Sequence, residues 1–199
     1  MTSPAETPER RARLNRAQVL QAAAELADRA GLDDTTLSAL ARELGIRTPS
    51  LYRHVDSLAA LVEGIATIAL DELRAAMADA AAGRSGPEAV RAGAHAYRAY
   101  AQRHPGRYAA TTAFAVRAGH DEFARAAAAL VDILRATLRH WDLDDDRQVD
   151  AIRGLRAALH GFVEIERTGG FGMDRSPDAS FDVLVTTIIA GLDAASAST

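Results

Sequence analysis

Apolar side chains recur three and four residues apart along almost the whole of this 199-residue chain, and that period belongs to helices. No useful run alternates apolar with polar residues, and neither Asn-Gly nor Asp-Gly occurs to turn a hairpin. The fold is therefore expected to be all-α. Capping and breaking residues then divide the chain. Residues 1–13 hold two prolines and no apolar period, which predicts a flexible arm. Asn15, with Gln18 three residues on, reads as a capping box ahead of a stripe of Val19, Ala22, Ala23 and Leu26 that stops at Gly31. Thr36 caps a second helix carrying Leu37, Leu40, Ala41 and Leu44, and Gly45 ends it. Thr48 before Pro49 predicts an N-cap and a short third helix reaching about His54. Asp56 is the expected cap of a long fourth helix, with Leu58, Leu61, Val62, Ile65, Ile68 and Leu73 on its buried side.

That helix runs out at Gly83-Arg84-Ser85-Gly86, the clearest boundary signal in the sequence. Five further helices are expected: from Pro87 to His104, from Arg107 to Ala115, from Asp121 to His140, from Asp145 to Arg167, and from Pro177 onward. A glycine-rich loop over residues 168–176 separates the last two.

Several kinds of chemistry are missing from this inventory. There is no cysteine, so disulfides, thiolate catalysis and cysteine-ligated zinc are excluded. The six histidines never fall four apart, and neither Glu-x-x-His nor His-Glu-x-x-His occurs. Asp144-Asp145-Asp146 lacks the glycine and terminal glutamate of a calcium loop, and is expected to favour the start of the eighth helix. No cofactor, metal or catalytic residue is expected, and the chain reads as something other than an enzyme. Residues 1–13 are polar, unlike a signal peptide, and no uncharged apolar run reaches 18 residues, so a cytoplasmic protein without a membrane span is expected.

Net charge is −4, a poor advertisement for a nucleic-acid partner, but its distribution is more informative. Residues 1–60 hold eight arginines against eight acids, so the whole excess lies beyond them. Two basic clusters stand in that neutral stretch, Arg10, Arg11, Arg13 and Arg16 in one, Arg42, Arg47, Arg53 and His54 in the other. Between two capped helices, Leu44-Gly45-Ile46 makes the compact turn of a helix-turn-helix. The second helix of that motif enters the major groove, and its first residues here, Thr48 and Ser50, are small and polar.

The segment from Ala17 to Leu61 resembles the DNA-binding domain of the tetracycline-repressor (TetR) family. The likeness is carried by Thr36-Leu37-Ser38-Ala39-Leu40-Ala41-Arg42-Glu43-Leu44-Gly45-Ile46 and by Pro49-Ser50-Leu51-Tyr52-Arg53-His54-Val55. The resemblance implies that Thr48, Ser50, Tyr52 and His54 touch bases or phosphates and that Ser38 meets the backbone; Arg47, Pro49 and Arg53 complete the expected contact set. Where the family often places a phosphate-clamping lysine, this chain has Leu58. More weakly, Leu155–Glu166 with Gly170-Phe171 resembles a subgroup having a His-Gly pair in helix 8 and a Gly-Phe loop after it. The family organisation then implies residues 1–13 as an arm, 14–60 as the DNA-binding domain, and 61–199 as the ligand-binding and dimerisation domain.

By the same resemblance the chain works as a homodimer on double-stranded DNA, a repressor released from a palindromic operator by a small-molecule effector. Candidate pocket residues are Tyr97, Tyr100, Phe114, Phe123 and His160, each of which also suits a plain core position. Leu159, Phe162, Val163, Leu184, Ile188 and Leu192 are the candidates for the dimer interface, and Gly161 is expected to permit a close helix approach. The fourth helix belongs to both domains and is the expected link between them, with Gly64 as a point of reorientation. An activator or architectural DNA-binding protein, a helical-bundle enzyme, and a helical adaptor remain the alternatives.

Overall fold

The computed structural model describes residues 14–113 and 121–197. Every regular element among them is helical. In chain order they are α1 (Arg16–Ala30), α2 (Leu37–Glu43), α3 (Thr48–Leu51), α4 (Leu58–Ala81), α5 (Gly86–Arg103), α6 (Pro105–Ala113), α7 (Asp121–Leu138), α8 (Asp145–Arg167) and α9 (Pro177–Ser196). A single 3-10 turn over Arg139–Trp141 follows α7, which is why that helix stops short of the expected His140. The arm over residues 1–13 and the candidate Phe114 lie outside the described residues.

The caps account for most boundaries. At α1 the capping box is complete: Gln18 N–H donates to Asn15 Oδ1 (2.9 Å), and Asn15 N–H to Gln18 Oε1 (3.0 Å). Thr36 accepts from the Ala39 N–H at 3.1 Å, and Asp144 from that of Arg147 at 2.8 Å. Four starts differ from expectation, that of α5 by one residue, at Gly86 rather than Pro87. Ser57, not Asp56, caps α4, accepting from the Ala60 N–H at 3.0 Å, because the helix begins one residue later. Thr48 is already inside α3, with Arg47 at the cap position and no side-chain bond there. The sixth helix starts at Pro105 rather than Arg107, since a proline lacks only an N–H that the first turn leaves unpaired.

Two apolar cores form, and α4 contributes to both. The first gathers Val19 and Ala23 of α1, Leu40 of α2, Leu51 of α3, and Leu61 and Ile65 of α4, all fully buried. Ala110 of α6 and Phe123 of α7 reach into the same cluster. The second joins Leu73 of α4, Tyr108 of α6, Leu138 of α7, Leu159 of α8, and Phe181 and Val185 of α9. Each fully buried leucine or phenylalanine stabilises by about 1.5–3 kcal/mol, so both clusters are substantial cores. The Gly83–Gly86 stretch is a turn between α4 and α5, which contribute Leu73 and Val90 to this same second core.

Glycine marks two close approaches. A Cβ at Gly64 would run into the Leu20 side chain, so α1 rests directly on the α4 backbone there. A Cβ at Gly106 would clash with the backbone carbonyl of Ala27. Gly161, by contrast, has open space beside it within the chain.

Candidate functional site

The helix-turn-helix is closed by hydrogen bonds that the sequence prescribes. Gly45 sits at φ +64°, a left-handed conformation that a side chain would strain. It lets Ile46 N–H reach Ala41 O (3.0 Å) and Gly45 N–H reach Arg42 O (3.2 Å), which satisfies the last carbonyls of α2. Arg29 bridges to Glu43 at 2.7 Å and ties α1 to α2. Leu51 and Val55 are buried, anchoring α3 from below. Its other residues are thereby turned outward. Ser38, Arg47, Pro49, Tyr52 and Arg53 are exposed; Thr48, Ser50 and His54 are half-buried. Tyr52 is 53 % exposed, unusual for so large a ring. Leu58, expected on the buried side of α4, is instead 45 % exposed, because it is the first residue of the helix and the buried face begins at Leu61.

Helix α3 itself ends at Leu51, and Tyr52–His54 continue as a turn in which His54 and Val55 N–H both bond to Leu51 O, at 2.8 and 3.0 Å. The helix expected to reach His54 therefore ends three residues early. Among the described residues neither Arg47 nor Arg53 is held in an ion pair, so both guanidinium groups face water. Arg16, grouped by sequence with the arm, instead lies in the first turn of α1 and pairs with Glu122 of α7 at 3.3 Å.

The second feature is a cavity of about 700 Å³ enclosed by α4, α5, α6, α7 and α8. That volume suits a drug-sized molecule. Leu70, Leu73 and Met77 of α4 face Leu130, Val131 and Leu134 of α7 across it. Helix α8 supplies a different wall, where Arg153, Arg156 and His160 recur at three and four. Of the expected pocket residues, Tyr97, Phe123 and His160 line the cavity. Tyr100 does not, because its hydroxyl donates instead to Glu72 at 2.8 Å. Burial first, then that carboxylate, pushes the Tyr100 phenol well above its ordinary range.

Across one side of the cavity runs a chain of hydroxyls. The Tyr97 and Tyr108 oxygens are 2.8 Å apart, and Tyr108 Oη lies 2.6 Å from His160 Nδ1. Burial, then the adjacent Tyr97, pushes the Tyr108 phenol well above its ordinary range. The neighbouring residue of α6 faces the other way. Arg107 Nη1 donates to both Glu72 oxygens (2.8 and 2.9 Å), and its backbone N–H to Asp28 Oδ1 (2.9 Å). Arg107 Nε stands 3.0 Å from Asp28 Oδ2 as an ion-pair contact without an aligned hydrogen bond, and His104 Nδ1 is 3.0 Å from the same oxygen. Burial opposes the Arg107 charge, but Glu72 and Asp28 outweigh it and raise the pKa further. One short helix thus lines the cavity through Thr111 and Thr112, holds two more of its lining residues, Tyr97 and His160, through Tyr108, and meets α1 and α4 through Gly106 and Arg107.

The third feature is the outer face of α8 and α9. Leu159, Phe162, Val163 and Leu192 are already buried in the chain's own core, which leaves little of them for a partner; Leu184 and Ile188 are half-exposed. The apolar surface that remains open comes from the neighbouring stripe, with Ile165 at 45 % and Val183 at 55 % exposed, beside Gly154, Gly161 and Gly191. Helix α9 is long and apolar enough by composition to cross a membrane, yet Phe181, Val185 and Ile189 pack into the core and Asp193 accepts from Trp141 Nε1 at 2.7 Å. Behind this face Arg98 of α5 is braced by Glu166 and by Asp178 (2.7 Å), with its guanidinium 5.0 Å from the Phe181 ring centre.

Tyr108, Arg107, Asp28, Glu72, Arg153 and Arg156 are not among the site residues expected from sequence. For the two arginines a signal existed, since Val149, Ile152, Arg153, Arg156 and His160 repeat at helical spacing. The buried ion pairs had none, because Asp28 and Arg107 are far apart in sequence.

Known proteins place this architecture. The profile described as bacterial regulatory proteins, tetR family, matches residues 19–65, and the tetracyclin repressor-like C-terminal domain matches 90–188. An uncharacterised helix-turn-helix-type transcriptional regulator of Mycobacterium tuberculosis is 36 % identical over 184 residues, spanning 92 % of this chain and 84 % of that protein. A structure of unknown function from Rhodococcus sp. RHA1 superposes with a TM-score of 0.78 at 22 % identity, covering 94 % of this chain and all of the other. A tetracycline-repressor variant of Acinetobacter baumannii, solved in complex with minocycline, superposes with a TM-score of 0.71 at 21 % identity, covering 91 % of this chain and 97 % of that one. Helix-turn-helix, shared α4 and helical C-terminal half all agree with these matches, and the chain belongs to the tetracycline-repressor (TetR) family of bacterial transcriptional regulators.

Proposed function

We propose that this regulator is a homodimeric repressor, divided into a DNA-binding domain over residues 14–60 and a ligand-binding and dimerisation domain over 61–199, whose cavity takes a small-molecule effector that releases it from a palindromic operator. Regulators of this family bind DNA operators and small-molecule effectors and form dimers. The surface offered to DNA comprises Ser38, Arg47, Thr48, Pro49, Ser50, Tyr52, Arg53 and His54. Two such surfaces, one per protomer, meet successive major grooves when spaced about 34–36 Å apart.

The observation that carries the reading is the double attachment of α6. Tyr108 belongs to the hydroxyl chain beside the cavity, while Gly106 and Arg107 are seated on Ala27, Asp28 and Glu72. A molecule that displaces Tyr97 or His160 moves Tyr108, and α6 then carries α1 and α4 with it. The helix-turn-helix is tied to α1 through Arg29 and Glu43, so the spacing of the two α3 helices changes. An effector acts only to the extent that it favours the displaced conformer over the operator-bound one.

The chain has no cysteine, so Asp56→Cys provides a single spin-label site per protomer. Distances between the two labels are to be compared in the otherwise native protein and in one carrying Leu134→Trp, which fills the cavity. A spacing suited to adjacent grooves in the first and a displaced distribution in the second is expected. Identical distributions would remove the cavity from control of the DNA-binding surface.

A further inference from the structure

The cavity walls differ in chemistry, and the difference concerns what the cavity accepts. Leu70, Leu73 and Met77 on one side and Leu130, Val131 and Leu134 on another offer only apolar surface. Arg153, Arg156 and His160 project from one face of α8, and Arg135 joins them from α7. From Arg153 to His160 this wall extends about 10 Å along the helix axis. No carboxylate lines the cavity among the described residues. Arg135 has a partner, Asp132, at 3.5 Å, but Arg153 and Arg156 are held in no ion pair among the described residues. Both groups are exposed, which places them at the open side of the cavity, and two guanidinium groups one helical turn apart and outside any ion pair favour an anion and disfavour a cation.

The hydroxyl chain adds an independent observation. Suppose Tyr108 donates to His160 Nδ1; Tyr97 then donates to Tyr108, and the neutral imidazole keeps its Nε2–H unspent. In the opposite direction His160 donates through Nδ1, Tyr108 donates to Tyr97, and the Tyr97 O–H is left over. Either arrangement leaves a donor on a residue that lines the cavity, and a ligand oxygen is its natural partner.

Resting on the proposed role of the cavity as the effector site, we infer that the effector is an amphipathic anion: an apolar body between α4 and α7, with a carboxylate or similar acidic head held by Arg153 and Arg156. The shared chemistry is the anionic head on an apolar body, and the inference distinguishes this class from neutral and cationic molecules of equal size.

Two dyes with the same aromatic body separate the two claims. 1-Anilinonaphthalene-8-sulfonate is an anion, and N-phenyl-1-naphthylamine lacks the sulfonate. Their affinities for the full-length protein are measured by fluorescence titration, with Leu134→Trp reporting whether binding is in the cavity. The anion is expected to bind roughly tenfold or more tightly than the neutral dye, the value of one charged hydrogen-bonded contact. The double variant Arg153→Gln and Arg156→Gln is expected to abolish that preference while keeping its affinity for the neutral dye. Equal affinities in the native protein, or a preference that survives in the double variant, would overturn the anion inference and leave the cavity as a ligand site. Failure of both dyes to bind, or binding unaffected by Leu134→Trp, would overturn the cavity reading together with it.

Discussion

Gly106 and Gly64 show how much can depend on one missing methyl group. At Gly106 a Cβ would meet the backbone of Ala27 and Asp28, which has no rotamer to change. At Gly64 it would meet the end of the Leu20 side chain, which has. Gly106→Ala is therefore expected to destabilise by about 1–3 kcal/mol, and Gly64→Ala by distinctly less, in urea unfolding followed by circular dichroism. A reversed order would mean that α6 can lift from α1 at little cost. The Arg98 brace predicts a pH dependence. The hydrogen bond from Arg98 holds the Glu166 carboxyl below its ordinary value of 4.5. A carboxylate lowered in the folded state contributes stability above about pH 4.5 that is lost as pH falls through the folded pKa. Glu166→Gln should be less stable than the native protein at neutral pH, and the two unfolding curves should converge in acid.

At the scale of the element, the caps were legible and the lengths of short helices were not. Asn15, Thr36 and Asp144 each accept the backbone N–H their position implied, because an N-cap is a local contract between residues three apart. Asp56 and Ser57 are both good caps and adjacent, so the sequence alone could not choose between them. The third helix ends early because burial of Leu51 and Val55 decides the path of the chain, a tertiary effect invisible to periodicity. Similarly, Leu159, Phe162, Val163 and Leu192, expected at the dimer interface, point into the chain's own core. Periodicity finds a buried face without saying who buries it. For the α3 surface, Arg53→Ala is expected to weaken operator binding and reduce the salt dependence by about one ion if it contacts a phosphate. A fluorescence-anisotropy titration at several salt concentrations reads both effects, and an unchanged slope would exclude that contact.

For the whole molecule, the open stripe of Ile165 and Val183 beside Gly154, Gly161 and Gly191 is the surface on which a second copy is expected to pack. Val183→Glu places a charge there without touching the core, and analytical ultracentrifugation should show monomers where the native protein gives dimers. The hydroxyl chain and the α6 attachment were hidden from sequence because Tyr108, His160, Asp28 and Glu72 meet only through folding. The DNA-binding motif was visible because its caps, glycine turn and outward residues are contiguous. Through that motif the proposed dimer reads DNA, with α3 in the groove. The most direct test is selection of bound fragments from random DNA by the native protein at two salt concentrations. Recovery of one palindrome, with half-sites about one helical turn apart and affinity falling as salt rises, is predicted. No enriched sequence at either concentration would mean that α3 does not read DNA.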